Sequence, residues 1–239
     1  MTERSTVENS VDCLPGHLVE GYATFLSGRF PQEHESFRAL AEKGQRPATM
    51  IVGCCDSRVS PEAIFDAKPG ELFILRNVAN LIPPYEPDNH YHGASAALEY
   101  AVMALKVRHI VVLGHAQCGG VAAFAESLAN PEVPPLSEGD FIGRWIKLLR
   151  PAAERAGPPP KKIDRAYVEK LEFESVKQGL ANLRSFPMIR TLEARHFLKL
   201  HGALFGVMDG RLLAYDEEND RFVPVAGAAH AAALASARF

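Results

Sequence analysis

The sequence has little of what would place a protein in an oxidising compartment, a membrane or a nucleic-acid complex. Its 239 residues include only four cysteines. That is too few to staple a chain of this length, so the thiols are read as spare, catalytic or metal-bound. No apolar run approaches the roughly 18–20 residues that span a bilayer. The opening MTERSTVENSVDC has neither the basic region nor the apolar core of a secretion signal. Basic charge is not in excess either. With 26 Lys and Arg against 29 Asp and Glu, the net charge is −3, which argues against nucleic acid as a partner. Hydrophobic residues make up 47% and charged residues 23%, the balance of a folded globule rather than a disordered chain. The expectation is a cytoplasmic globular protein with no membrane partner. At about 100–200 residues per domain, its length allows one large domain or two small ones.

Apolar spacing outlines the elements. Leu18, Val19, Tyr22, Phe25 and Leu26 recur at helical intervals, and Phe37, Leu40 and Ala41 continue after Pro31. Residues 48–53, 72–75 and 109–114 are short apolar runs without polar alternation, the pattern of strands buried on both faces. Helical stretches alternate with them. One covers 94–106, with Ala97, Leu98, Ala101, Val102 and Leu105 on one side, and another covers 120–129. Breaker-rich segments at 131–135 and 156–162 flank a helix predicted over 141–149. Because 167–183 and 203–207 read as the next helix and strand of the same sheet, this middle region is a surface excursion rather than a boundary. The alternation predicts an α/β protein: a central, mostly parallel sheet flanked by helices, with an N-terminal helical arm. The final AAHAAALASARF fits a terminal helix and a frayed tail equally well.

Two strand ends carry the chemistry. The first runs into Cys54-Cys55-Asp56-Ser57-Arg58, and the third into His115-Ala116-Gln117-Cys118-Gly119-Gly120. Each is weak alone, since a buried cysteine is more often core than ligand. In a doubly wound sheet, however, the first and third strands sit side by side, and ligands gather outside their carboxyl ends. On that topology Cys54, His115 and Cys118 converge as two thiolates and an imidazole, a set suited to tetrahedral Zn²⁺. Only three such groups converge, so a fourth position is left for water or a carboxylate, as in catalytic zinc sites. Cys55 faces away from Cys54 along extended chain, and Cys13 has no ligand-like setting. Asp56 and Arg58, two residues apart, share one side of the chain and can pair beside the metal. The carboxylate then either ligates the metal or accepts a hydrogen bond from metal-bound water. The plainer alternative is a solvated ion pair at a helix start, with Asp56 or Ser57 as N-cap.

C-x-D-x-R followed by H-x-x-C-G-G resembles the signature of the β-class carbonic anhydrases. The likeness extends along nearly the whole chain, through Pro61-Glu62, Pro69-Gly70-Glu71, Arg76-Asn77-Val78-Ala79-Asn80, Gly93-Ala94-Ser95, Glu99-Tyr100-Ala101-Val102, His201-Gly202 and Asp209-Gly210. Phe222-Val223-Pro224 resembles bacterial members associated with cyanate metabolism. The resemblance implies reversible hydration of carbon dioxide to bicarbonate and a proton, by attack of zinc-bound hydroxide on CO₂. Cys54, His115 and Cys118 would hold the zinc. Asp56, paired with Arg58, would orient the hydroxide, and Gln45 would donate its amide to CO₂ or bicarbonate. Gly119 would assist through its N–H, while Phe73, Val78 and Tyr100 would line an apolar pocket. His90 and His92 are candidate proton relays.

Gln45 and the run from Arg76 to Tyr85 resemble the plant-type branch, in which water or substrate takes the fourth zinc position. The other branch carries a second bicarbonate site of Trp, Arg and Tyr. Here Arg76 matches the Arg, but Ile51 and Phe205 stand where the aromatic pair would be. That regulatory site, and a closed state with Asp56 on zinc, are therefore less expected. On this reading residues 1–239 are a single domain: a helical arm at 1–45, an α/β core at 46–210 and a C-terminal extension at 211–239. The family's site spans a dimer interface, which implies a homodimer or a higher even oligomer with Gln45, Phe73 and Tyr100 facing the partner's zinc. Two other readings remain. The same zinc hydroxide would attack carbonyl sulfide or carbon disulfide, or the site would be a non-catalytic zinc or thiol module on a nucleotide-binding sheet. Against the module, the first strand has no glycine-rich turn to hold a pyrophosphate, and there is no C-x-x-C.

Overall fold

The computed structural model describes residues 13–88 and 90–225. The Ala-rich C-terminal segment lies outside the described residues. The chain divides into two compact units, 1–45 and 46–239. The first holds α1 (Gly16–Ser27) and α2 (Phe30–Lys43). Pro31 sits in the first turn of α2, where its missing N–H leaves no helical bond unmade. Phe25, Phe30 and Phe37 join the two helices in an aromatic cluster with centroids 5.6 to 6.1 Å apart. Neither helix buries a residue, and Leu18, Val19, Tyr22 and Leu26 remain exposed.

The second unit is built on a six-stranded sheet. Strands β1 (Thr49–Cys54), β2 (Leu72–Asn77), β3 (His109–His115) and β4 (Lys199–Phe205) are parallel, and β5 (Leu212–Asp216) and β6 (Arg221–Pro224) are antiparallel. Their order is β2-β1-β3-β4-β5-β6. The expected α/β class is therefore present, with the first and third strands adjacent and the second on the flank. β1 is buried along nearly its whole length and β3 along most of it, because helices and neighbouring strands cover them; this is why they read as unbroken apolar runs. Residues 212–224 form the antiparallel edge of the sheet. Their strands are short and half-buried, and Leu212–Tyr215 is an apolar run that the sequence reading left out of the sheet.

Helices α3 (Pro61–Ile64), α4 (Gly93–Glu99), α5 (Gly119–Ala129), α6 (Phe141–Ile146), α7 (Arg150–Ala156), α8 (Arg165–Ser185) and α9 (Pro187–Ala194) fill the connections. The longest, α8, is capped by Asp164, whose carboxylate accepts the Tyr167 N–H at 2.8 Å. One side of α8 packs against the sheet through Val176, Leu180 and Leu183, which join Met50, Val52, Ile110 and Val112 in the main core. A Cβ on Gly114 would stand 2.7 Å from Val176 Cγ2, so the close approach of α8 to β3 requires glycine there. The helix expected over 94–106 is present with a difference. After Glu99 it widens into a π turn over Tyr100–Ala104, closed by the Leu105 N–H on the Tyr100 carbonyl at 3.0 Å. Tyr100 and Met103 are exposed there.

Candidate metal centre

The parallel register decides which residues meet. β1 ends at Cys54 and β3 at His115, at the same edge of the sheet and on neighbouring strands. The chain then turns through Gln117, whose φ of 58° lies in the left-handed region, and Cys118 becomes the N-cap of α5. Cys54, His115 and Cys118 are all buried, and one ligand atom from each lies within 4.8 Å of the others. Cys13 and Cys55 are exposed and stand outside the cluster.

The donor set fits a metal ion. His115 Nδ1 lies 3.0 Å from the Ala116 carbonyl, which can only accept, so Nδ1 carries the proton and Nε2 keeps a free lone pair. That Nε2 is buried and has no hydrogen-bond partner. A buried polar atom left this way costs roughly 1–3 kcal/mol, a cost that a metal ion removes. The thiols are prepared as well. Cys54 ionises first: its hydrogen bond with Cys118 pulls its pKa down against burial, and the N–H groups of Asp56 and Ala79 add to the effect. The same bond, together with burial, pushes Cys118 up, while the N–H groups of Gly120 and Val121 favour its thiolate. Divalent metal, by replacing the shared proton, resolves that competition for both sulfurs.

Each ligand loop is held by an arginine. Arg76 donates from Nε to the Cys54 carbonyl at 2.8 Å and from Nη2 to the Asp56 carbonyl at 2.7 Å. Arg58 grips Asp56 through two bonds, Nε to Oδ1 at 2.9 Å and Nη2 to Oδ2 at 2.6 Å, and also donates to the Gln117 carbonyl at 3.0 Å. The Arg58 guanidinium beside Asp56 holds its carboxyl well below the usual carboxylate range. Asp56 Oδ2 stands 3.8 Å from His115 Nε2, so an ionised acceptor borders the cluster. Gly119 follows Cys118 at the start of α5, and Ala79, next to Val78, points its N–H at the Cys54 sulfur. A Cβ on Gly120 would come within 2.9 Å of Val78 Cγ1, so α5 begins against the Val78–Asn80 turn only because residue 120 is glycine.

Other residues singled out from sequence are not members of the Cys-His-Cys cluster. Phe73 pairs with Met50, four positions before Cys54, or about 13 Å at 3.3 Å per residue. Its ring packs on Tyr100 with centroids 5.9 Å apart, so this aromatic pair is remote from the chain's own cluster. Gln45 is exposed at the end of the N-terminal unit. Ile51 is buried and Phe205 partly buried in one apolar cluster with Leu113 and Ala203. His90 and His92 both contact Asp88, at 3.0 and 2.6 Å, in the exposed loop before α4.

Glu172 and Arg165 escaped the sequence reading. Glu172 of α8 is 1% exposed and accepts the backbone N–H of Cys118 at 3.0 Å. A signal was present: Val168, Leu171, Glu172, Ser175, Val176, Gly179, Leu180 and Leu183 form the buried stripe of α8, so a carboxylate occupies a core position.

Fold and site together define an α/β protein with a metal-capable Cys-His-Cys centre at the carboxyl ends of two parallel strands. The sequence model of the carbonic anhydrase family matches residues 49–212. A carbonic anhydrase of Pseudomonas aeruginosa is 33% identical over 87% of this chain and 91% of its own. The structure of the β-carbonic anhydrase CcaA superposes with a TM-score of 0.77 at 31% identity, over 87% of this chain and 90% of that one. One of two tetrameric β-carbonic anhydrases from Sordaria macrospora gives a TM-score of 0.69 at 28% identity, over 84% and 95%. The chain belongs to the β-class carbonic anhydrases, and its activity is that family's hydration of carbon dioxide.

Proposed function

We propose that the chain hydrates CO₂ reversibly to bicarbonate and a proton by means of a zinc ion held by Cys54, His115 and Cys118. The observation that carries this reading is the buried, unpartnered Nε2 of His115 converging with two thiols beside an arginine-held carboxylate. Zinc bound there supplies Lewis acidity, which lowers the pKa of a coordinated water toward neutrality. Two thiolates donate more charge than imidazoles and work against that acidity. The N–H groups of Asp56, Ala79, Gly120 and Val121 at the sulfurs draw charge back.

Asp56 accepts the hydrogen bond of the attacking water and aims a lone pair at carbon, while Arg58 keeps the carboxylate ionised and turned away from donating. Gly119, opening α5, presents its N–H to a bicarbonate oxygen, and Gln45 of a second copy donates its side-chain amide. Val78 supplies apolar wall for CO₂. Phe73 and Tyr100 complete the wall from a second copy, since they are remote from their own cluster; this supports a homodimer or higher even oligomer. The apolar Ile51 and Phe205 offer no donor for a second bicarbonate, which supports the plant-type, open site. Residues 1–239 act as one functional domain, arm and core together.

The test is metal content with activity. The purified chain is expected to hold about one zinc, and Cys118→Ser to abolish CO₂ hydration with loss of zinc. A zinc-free chain with full activity overturns the assignment.

A further inference from the structure

Glu172 is the only buried carboxylate among the described residues. It reaches 54 positions along the chain to the Cys118 N–H, which Oε1 accepts at 3.0 Å. Arg165 grips the same carboxylate from both sides, Nη1 to Oε1 at 2.8 Å and Nη2 to Oε2 at 2.6 Å. Its helix neighbours Val168 and Leu171 belong to a buried apolar cluster that also holds Cys54 and Cys118. Burying a carboxylate for stability alone is a poor device, because an apolar residue of similar volume would serve at least as well. The group has a specific target instead. A residue at an N-cap is free to rotate its peptide plane, and the Cys118 N–H would otherwise be a buried donor without a partner.

We propose that Glu172, locked by Arg165, is a positioning residue for the second thiolate: it fixes the peptide before Cys118 so that Sγ is aimed at Cys54 and His115. The inference rests on the metal reading of that cluster. α8 thereby braces the third ligand, as Arg76 braces the first through the Cys54 carbonyl. The carboxylate touches neither substrate nor metal and acts only through the backbone of Cys118.

The experiment compares Glu172→Ala, Glu172→Gln and Arg165→Gln in the full chain loaded with zinc and, separately, with cobalt. Metal loss to a chelator and the thiolate-to-cobalt absorption bands are read. Glu172→Ala is expected to lose metal about 10- to 100-fold faster and to shift the cobalt bands. Glu172→Gln retains a carbonyl acceptor for the Cys118 N–H and is expected to restore both toward wild type. Arg165→Gln, altered at a half-exposed position, is expected to fall between them, and it carries the test if Glu172→Ala does not fold. A wild-type chain that takes up neither metal overturns the metal reading and this proposal with it. Wild type that binds metal, with unchanged bands and chelator rates in the folded variants, overturns the positioning role alone.

Discussion

Asp56 is an acceptor and nothing else for as long as Arg58 holds it ionised. Arg58 lowers its pKa, so the pair is intact above the ordinary carboxylate range near 4 and breaks only as pH falls below it. From pH 8 to 6 no proton is available to release Asp56, and metal spectroscopy is expected to show an unchanged, open site. Appearance of a carboxylate ligand in that window would sink the open-site reading. Asp56→Asn separates the two roles the carboxylate has in principle. An amide of the same shape is expected to lower kcat on the order of 10²-fold or more at unchanged zinc content; loss of zinc would instead make Asp56 a ligand. The convergence of Cys54, His115 and Cys118 was legible in the sequence because residue type and strand order announce it. Glu172 was not, because a glutamate on a helix looks the same whether it faces water or a peptide N–H 54 residues away.

At the scale of elements, the β5–β6 hairpin is tied to α8 by charged side chains. Arg184 of α8 bonds Glu193 and Glu217, and Lys177 of α8 bonds Asp220, which also accepts from the Tyr215 hydroxyl. Arg184 lowers the pKa of Glu217, and Lys177 that of Asp220. Carboxyls lowered in the folded state stabilise it above their unfolded pKa and stop doing so as pH falls through the folded values. Hydrogen exchange, corrected for its intrinsic pH dependence, is therefore expected to show residues 212–224 opening below about pH 4, before β1 and β3 do. Uniform protection down to pH 3 would remove the ion pairs from the account. On the alkaline side no such opening is expected near neutrality, since burial and the bond to Asp220 push Tyr215 up to about 12. The hairpin was harder to read from sequence because its strands are short and only half-buried, although Tyr215 and Phe222 pack on the main core. The parallel strands were easy, because burial on both faces leaves an unbroken apolar run.

The whole molecule raises the question of assembly. Phe73 of β2 packs on Tyr100 of the π turn, four strand positions from its own Cys54, and Tyr100, Met103 and Phe197 are exposed. Sedimentation is expected to give a dimer or higher even oligomer, and dilution to monomer is expected to abolish CO₂ hydration. A fully active monomer would refute a shared site. By itself, the sequence determined the strand–helix alternation, the metal-capable residue types and the adjacency of the first and third strands, because side-chain period and topology rules are local or nearly so. Only the tertiary structure decided which atoms are left without partners, which arginine holds which loop, and how far the aromatic pair lies from the cluster. Those depend on register and on contacts between residues distant in the chain, and no local pattern encodes a distance.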